Sequence, residues 1–96
     1  MTNHDNDGVE AVREIERSYY VAPRNQVEGA IAEIWSEVLL LDRVGIHDDF
    51  LELGGDSLLG AQVVARLFER CGTQIPLESL FERGTIAELV EDFFAG

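Results

Sequence analysis

The residues best placed to do chemistry lie in one run, Asp49-Phe50-Leu51-Glu52-Leu53-Gly54-Gly55-Asp56-Ser57-Leu58. Two adjacent glycines strip side chains from the approach to a serine, so another backbone or a partner's surface can come close. Asp56 has the type and place of a helix N-cap, its carboxylate taking up orphan amides of the first turn. Ser57 then opens the helix, its hydroxyl directed outward from the positive end of the macrodipole, where an added phosphate would be stabilised. That chemistry suits a serine modified by another protein. A plain turn with a helix cap accounts for the same four residues, but it needs no such access.

Nucleophilic catalysis is a third reading. Gly55-Asp56-Ser57-Leu58 matches the four-letter signature of a family of lipases and esterases, and a triad of Ser57, His47 and Asp48 or Asp49 can be drawn. A catalytic serine needs a base for its proton, usually histidine. The histidines are His4, near the N-terminus, and His47, ahead of the serine. None follows Ser57, where those hydrolases keep an Asp-x-x-His pair, and no strand-turn-helix pattern supplies a nucleophile elbow. His47 reads as a solvent-facing loop residue and the two aspartates as turn caps. Asp5, Asp7 and Gly8 lack the later ligands of a calcium loop. Cys71 stands alone, which rules out an internal disulfide and any metal-ligand spacing. It reads as a small buried hydrophobe.

The elements that must position Ser57 are helical. Asn25 caps a helix predicted over residues 26–40, and Glu28 completes a capping box. Val27, Ile31, Ile34, Val38 and Leu41 mark its inner face, widened by Ala30 and by Trp35, which reads as a core or core-edge residue rather than a ligand platform. Residues 44–55 form a long irregular loop, which Val44, Ile46, Phe50, Leu51 and Leu53 pin to the core; such loops are usually functional. The second helix runs from Ser57 to Cys71 and ends at Gly72. It is apolar on more than one face, and the surplus near Ser57 points to a partner surface. Pro76 starts a short third helix carrying Leu77, Leu80 and Phe81. Thr85 and Glu88 form a second capping box, opening a last helix with Ile86, Leu89, Val90 and Phe93 inward. No stretch alternates as a half-buried strand does. The expected fold is all-α, a small four-helix bundle of three main helices and one short one.

A chain of 96 residues makes one small domain, with room for a core but none for a deep walled active site. Residues 1–18 read as a flexible tail and residues 19–96 as the domain; Val9, Val12, Ile15 and Tyr19, across that boundary, have near-helical spacing that fits a short amphipathic helix or a frayed linker equally. The net charge is −12, with seven arginines and no lysine. This excludes non-specific nucleic-acid binding, for want of a basic stripe to displace counterions. The acidity serves solubility or recognition by basic partner faces. A polar, acidic N-terminus is not a signal peptide, and no apolar run approaches spanning length. The expected compartment is the cytoplasm, without membrane association.

The flanks separate the readings of Ser57. Val44-Gly45-Ile46-His47-Asp48-Asp49-Phe50-Leu51-Glu52-Leu53-Gly54-Gly55-Asp56-Ser57-Leu58-Leu59 closely resembles the core of peptidyl carrier, or thiolation, domains of nonribosomal peptide synthetases. Tyr20-Val21-Ala22-Pro23-Arg24 looks like the linker leading into such a domain. Pro76-Leu77-Glu78-Ser79-Leu80-Phe81 and Thr85-Ile86-Ala87-Glu88-Leu89 look like its third and fourth helices. The resemblance implies an acyl-carrier-like bundle with 4′-phosphopantetheine attached at Ser57, within a cofactor site that includes Gly54, Gly55 and Asp56. A separate phosphopantetheinyl transferase, holding Mg²⁺ itself, would move the arm from coenzyme A. An adenylation enzyme would load the arm's thiol with an aminoacyl group, and condensation or tailoring enzymes would use it; the carrier itself would catalyse nothing. Docking surfaces would fall at Leu58, Ala61, Leu77 and Phe81, on a monomeric carrier. Aspartate before the serine is what acyl carriers of fatty-acid and polyketide type use, which keeps that subclass as the alternative. Gln62, Arg66 and Arg70, replacing the acidic face of acyl carriers, and the glycine pair favour the peptidyl subclass. Met1 and the polar leader suggest a free-standing carrier, although a domain excised from a larger synthetase would read nearly the same.

Overall fold

A computed structural model describes residues 20–94. The expected tail and its helical spacing at Val9–Tyr19 lie outside the described residues. Four helices follow in order: α1 (Gln26–Leu39), α2 (Ser57–Cys71), α3 (Leu77–Arg83) and α4 (Ile86–Phe93). Helix α4, expected among the main helices, has 8 residues against 7 for α3, so the bundle is two long and two short helices. Helix α1 packs on α2 and α4, α3 on α2 and α4, closing a ring of four around one core.

Local signals set the helix boundaries. Asn25 accepts from the Glu28 amide at 2.9 Å, Asp56 from the Leu59 amide at 2.9 Å and Thr85 from the Glu88 amide at 3.3 Å. The first capping box departs from the expected form. Glu28 reaches past Asn25 to the amide of Arg24 at 2.7 Å, and Arg24 closes on the same carboxylate through its guanidinium. Helix α1 ends one residue earlier than expected, because Leu40 adopts the left-handed conformation at φ 60°. Pro76 is the cap of α3 rather than its first residue, which suits its extended ψ of 141°.

The core gathers Ile31, Ile34, Trp35 and Val38 of α1, Val63 and Leu67 of α2, Leu80 of α3, Ile86 and Leu89 of α4, and Val44, Ile46 and Phe50 of the loop. Phe50 is fully buried, with Trp35 edge-on at 5.0 Å and Phe81 tilted against it at 6.0 Å. Burying such a ring is worth about 1.5–3 kcal/mol. Among the described residues the Trp35 indole N–H has no hydrogen-bond partner, a desolvation cost of about 1–3 kcal/mol set against burial of its ring. Of the expected loop anchors, Leu51 fails: it is half exposed, because its backbone belongs to a turn that directs it outward. Cys71 is only partly buried.

Candidate functional site

Ser57 is exposed and is the first residue of α2. The preceding loop places it there by a series of backbone bonds. Asp49 folds the next residues into a turn, its carboxylate accepting the amides of Leu51 at 3.0 Å and Glu52 at 3.2 Å. The Leu53 amide donates to Asp49 O and the Gly54 amide to Leu51 O, both at 3.0 Å. Gly54 leaves the turn at φ +107°, which L side chains rarely adopt. The Gly55 amide then donates to Phe50 O at 2.9 Å, and a Cβ on Gly55 would overlap the Phe50 ring. The two glycines therefore have separate duties: one allows the backbone to turn, the other allows it to lie against the buried aromatic ring.

Asp56 is extended, at φ −148° and ψ −174°, and its side chain accepts the Leu59 amide. The first two amides of α2, at Ser57 and Leu58, are orphan donors beside the serine hydroxyl. They offset the negative charge that Asp56 and an attached phosphate would bring together. An exposed hydroxyl, a side-chain-free approach and amides at the helix start fit a phosphodiester on Ser57.

Among the described residues no hydrogen bonds link Ser57, His47 and Asp48 or Asp49 as a triad. His47 is exposed, and among the described residues no hydrogen bond joins it to Ser57. Asp48 accepts the Gly45 amide at 2.8 Å, and Asp49 holds its own turn. Both carboxylates are committed to loop backbone. Among the described residues no group of three or more His, Cys, Asp or Glu side chains comes together as a metal site, and no helix is long and apolar enough to cross a membrane.

The four residues expected to meet partners fall in two settings. Leu58 is 69% exposed and Ala61 is exposed, whereas Leu77 and Phe81 are half-buried against α2. Both crowd Gly60, where a Cβ would lie 3.0 Å from Leu77 Cδ1 and 3.1 Å from Phe81 Cζ. Ser57, Ala61, Val64 and Phe68 share one face of α2 by helical spacing. Along that face Ala61, Val64, Phe68, Ile75, Pro76 and Leu77 line a groove of about 480 Å³. Phe68, 52% exposed, is the large apolar residue there that sequence reasoning did not single out. Its signal was the apolar excess of α2, which was assigned to the end near Ser57 alone.

Arg66 and Arg70 turn toward α1. Arg66 pairs with Glu37 at 3.2 Å and Arg70 with Glu33 at 2.6 Å, an antiparallel ladder across exposed surface.

The comparisons with known proteins agree with one another. Residues 29–93 match the family profile described as phosphopantetheine attachment site. Gramicidin S synthase 2 of Brevibacillus brevis is 50% identical over 72 residues, covering 75% of this chain and 2% of that protein. Tyrocidine synthase 3 of Brevibacillus parabrevis is 47% identical over 70 residues, covering 73% of this chain and 1% of that protein. The chain thus spans 1–2% of the length of relatives of this kind. Among solved structures, the phosphopantetheine transferase Sfp in complex with coenzyme A and a peptidyl carrier protein matches with a TM-score of 0.73 and 40% identity, over 76% of this chain and 95% of that one. The McyG A-PCP structure complexed with phenylalanyl-adenylate matches with a TM-score of 0.76 and 32% identity, over 86% of this chain and 13% of that one.

Proposed function

Since the chain belongs to the phosphopantetheine attachment family, as a peptidyl carrier (thiolation) domain of the nonribosomal peptide synthetase kind, we propose that Ser57 is the residue that receives the arm. The supporting observation is a serine hydroxyl exposed at the first position of α2, behind Gly54 and Gly55 and, among the described residues, bonded to no base. In the transfer, Ser57 Oγ attacks the β-phosphate of coenzyme A. The bond from that phosphorus to the bridging oxygen breaks, adenosine 3′,5′-bisphosphate leaves, and the serine proton passes to a base of the transferase. When bound, the 4′-phosphopantetheine supplies a thiol that carries an aminoacyl or peptidyl group as a thioester.

This chain's own residues do the rest. Asp56 fixes the first turn of α2, Gly54 and Gly55 leave the serine accessible, and Phe50 ties the loop to the core. The domain acts as a carrier without catalysis of its own, a reading that the lack of any base bonded to Ser57 among the described residues supports. Leu58 and Ala61, with Leu77 and Phe81 behind them, form the face that a phosphopantetheinyl transferase, an adenylation enzyme and condensation or tailoring enzymes visit in turn. Such visits must be brief, which a small apolar patch suits better than a large interface. Residues 19–96 are the carrier and residues 1–18 a leader. The carrier acts as a monomer in the cytoplasm, where its coenzyme A donor is held.

Loading tests this reading. The arm-bearing protein is offered to an adenylation enzyme with ATP and an amino acid, and separately to an acyl-transfer enzyme with an acyl-coenzyme A. Aminoacyl thioester in the first reaction supports the peptidyl carrier. Acylation in the second alone would contradict it.

A further inference from the structure

The segment ahead of α1 has no regular secondary structure, yet it is fastened firmly to the loop that presents Ser57. The Arg43 guanidinium stacks 4.0 Å from the centre of the Tyr20 ring. The same ring lies so close to Gly45 that a Cβ there would come within 2.8 Å of it. Val21 O accepts the Ile46 amide at 2.9 Å. Just beyond, Arg24 is bound through both its amide and its guanidinium to the buried Glu28 carboxylate, which fixes the segment's direction into α1.

Three of these contacts land on residues 43–46, the start of the serine-presenting loop, and from there the structure continues without a break. Gly45 donates to Asp48 at 2.8 Å. Ile46 O accepts the Ala87 amide of α4 at 3.0 Å, the Phe50 amide donates to Gly84 O at 2.7 Å, and Phe50 O receives the Gly55 amide. Ser57 follows two residues later.

We infer that Tyr20 and Arg43 are positioning residues for the modification of Ser57: the segment before α1 is a strut of the loop, and the serine's placement depends on it. Neither residue lies beside the hydroxyl, so both act through Gly45, Ile46 and Phe50. Loss of the strut leaves the helices packed but lets the loop leave its presenting conformation part of the time. A transferase then meets a competent carrier less often, which raises the apparent KM by the inverse of the competent fraction and leaves kcat near its original value. The kinetic part rests on the carrier reading; the loop coupling does not.

Amide hydrogen exchange by NMR on the unmodified protein tests the coupling, and initial rates of arm transfer test its consequence. In Tyr20→Ala, exchange at the Ile46 and Gly55 amides should accelerate about tenfold or more while the Ile34 and Leu67 amides stay protected, as in local opening. KM for the carrier should rise several-fold at nearly constant kcat, roughly as the competent fraction falls. Tyr20→Phe, which keeps the ring, should restore both. Arg43→Gln, a change at an exposed side chain, should show the same pattern more weakly and decides the matter should Tyr20→Ala not fold. Unchanged exchange at Gly55 in these variants would overturn the inference, and so would equal acceleration at all four amides, which is general destabilisation. Absence of transfer to the parent protein would instead refute the carrier reading and leave the exchange comparison standing.

Discussion

A methyl group added at Gly55 would overlap the Phe50 ring, and that ring has little freedom, because Trp35 and Phe81 flank it and its own backbone is bonded at both ends. Gly55→Ala should therefore cost about 1–3 kcal/mol, the range for overpacking a filled core, read from the urea midpoint. Gly54→Ala meets no neighbour within 4 Å but must hold φ +107°. Its cost is conformational, about 1–3 kcal/mol. The two variants should differ in where they disturb the protein. Gly55→Ala should shift the NMR signals of Phe50, Trp35 and Phe81, and Gly54→Ala only those of the loop. Shifts confined to the loop in both would show that the ring does not fill the space below Gly55.

Helix α2 begins where Asp56 takes the Leu59 amide, so Asp56→Ala should lower stability by about 0.5–2 kcal/mol and Asp56→Asn by much less, measured by thermal unfolding. Helix α1 begins differently. The Arg24 guanidinium, bonded to both oxygens of Glu28, holds that buried carboxyl below the usual carboxylate range despite its burial. A carboxyl whose folded pKa is depressed contributes stability that is complete above its ordinary value of about 4.3 and is lost as pH falls through the lower folded value. Glu28→Gln should thus destabilise α1 clearly at neutral pH, and the gap from the parent should narrow as the solution is acidified below about pH 4. Urea unfolding at several pH values checks this; a constant gap would mean that Glu28 acts by packing alone. The caps at Asn25, Asp56 and Thr85 were legible in the sequence because they are local, three-residue patterns. The end of α1 was not, since no glycine marks it and Leu40 takes the left-handed cap. Nor was the burial of Glu28, because capping residues ordinarily stay in water and this one is covered by tertiary packing.

A net charge of −12 on so small a protein is self-repelling in the compact state. Its cross-helix pairs, Arg66–Glu37 and Arg70–Glu33, lie on exposed surface where each is worth about 0–1 kcal/mol. Screening should relieve more repulsion than it removes attraction, so adding salt should raise the melting temperature; a fall would show that the ion pairs dominate. The helical class, the position of Ser57 and the burial of Val44, Ile46 and Phe50 were legible because period and composition report which face is buried. Which elements pack on one another was not: Tyr20 against Arg43 and Gly45, and Arg66 and Arg70 turned to α1, join residues far apart in the chain. The groove ending at Phe68 needed the path of residues 74–77 to be known.

The central claim is that one exposed hydroxyl at the head of α2 receives a prosthetic arm. Incubation with coenzyme A, Mg²⁺ and a phosphopantetheinyl transferase, followed by intact-mass measurement, tests it most directly. The expected result is a gain of one 4′-phosphopantetheine by the parent protein and none by Ser57→Ala. A parent protein that gains nothing, or an arm that still attaches when Ser57 is replaced, would contradict it.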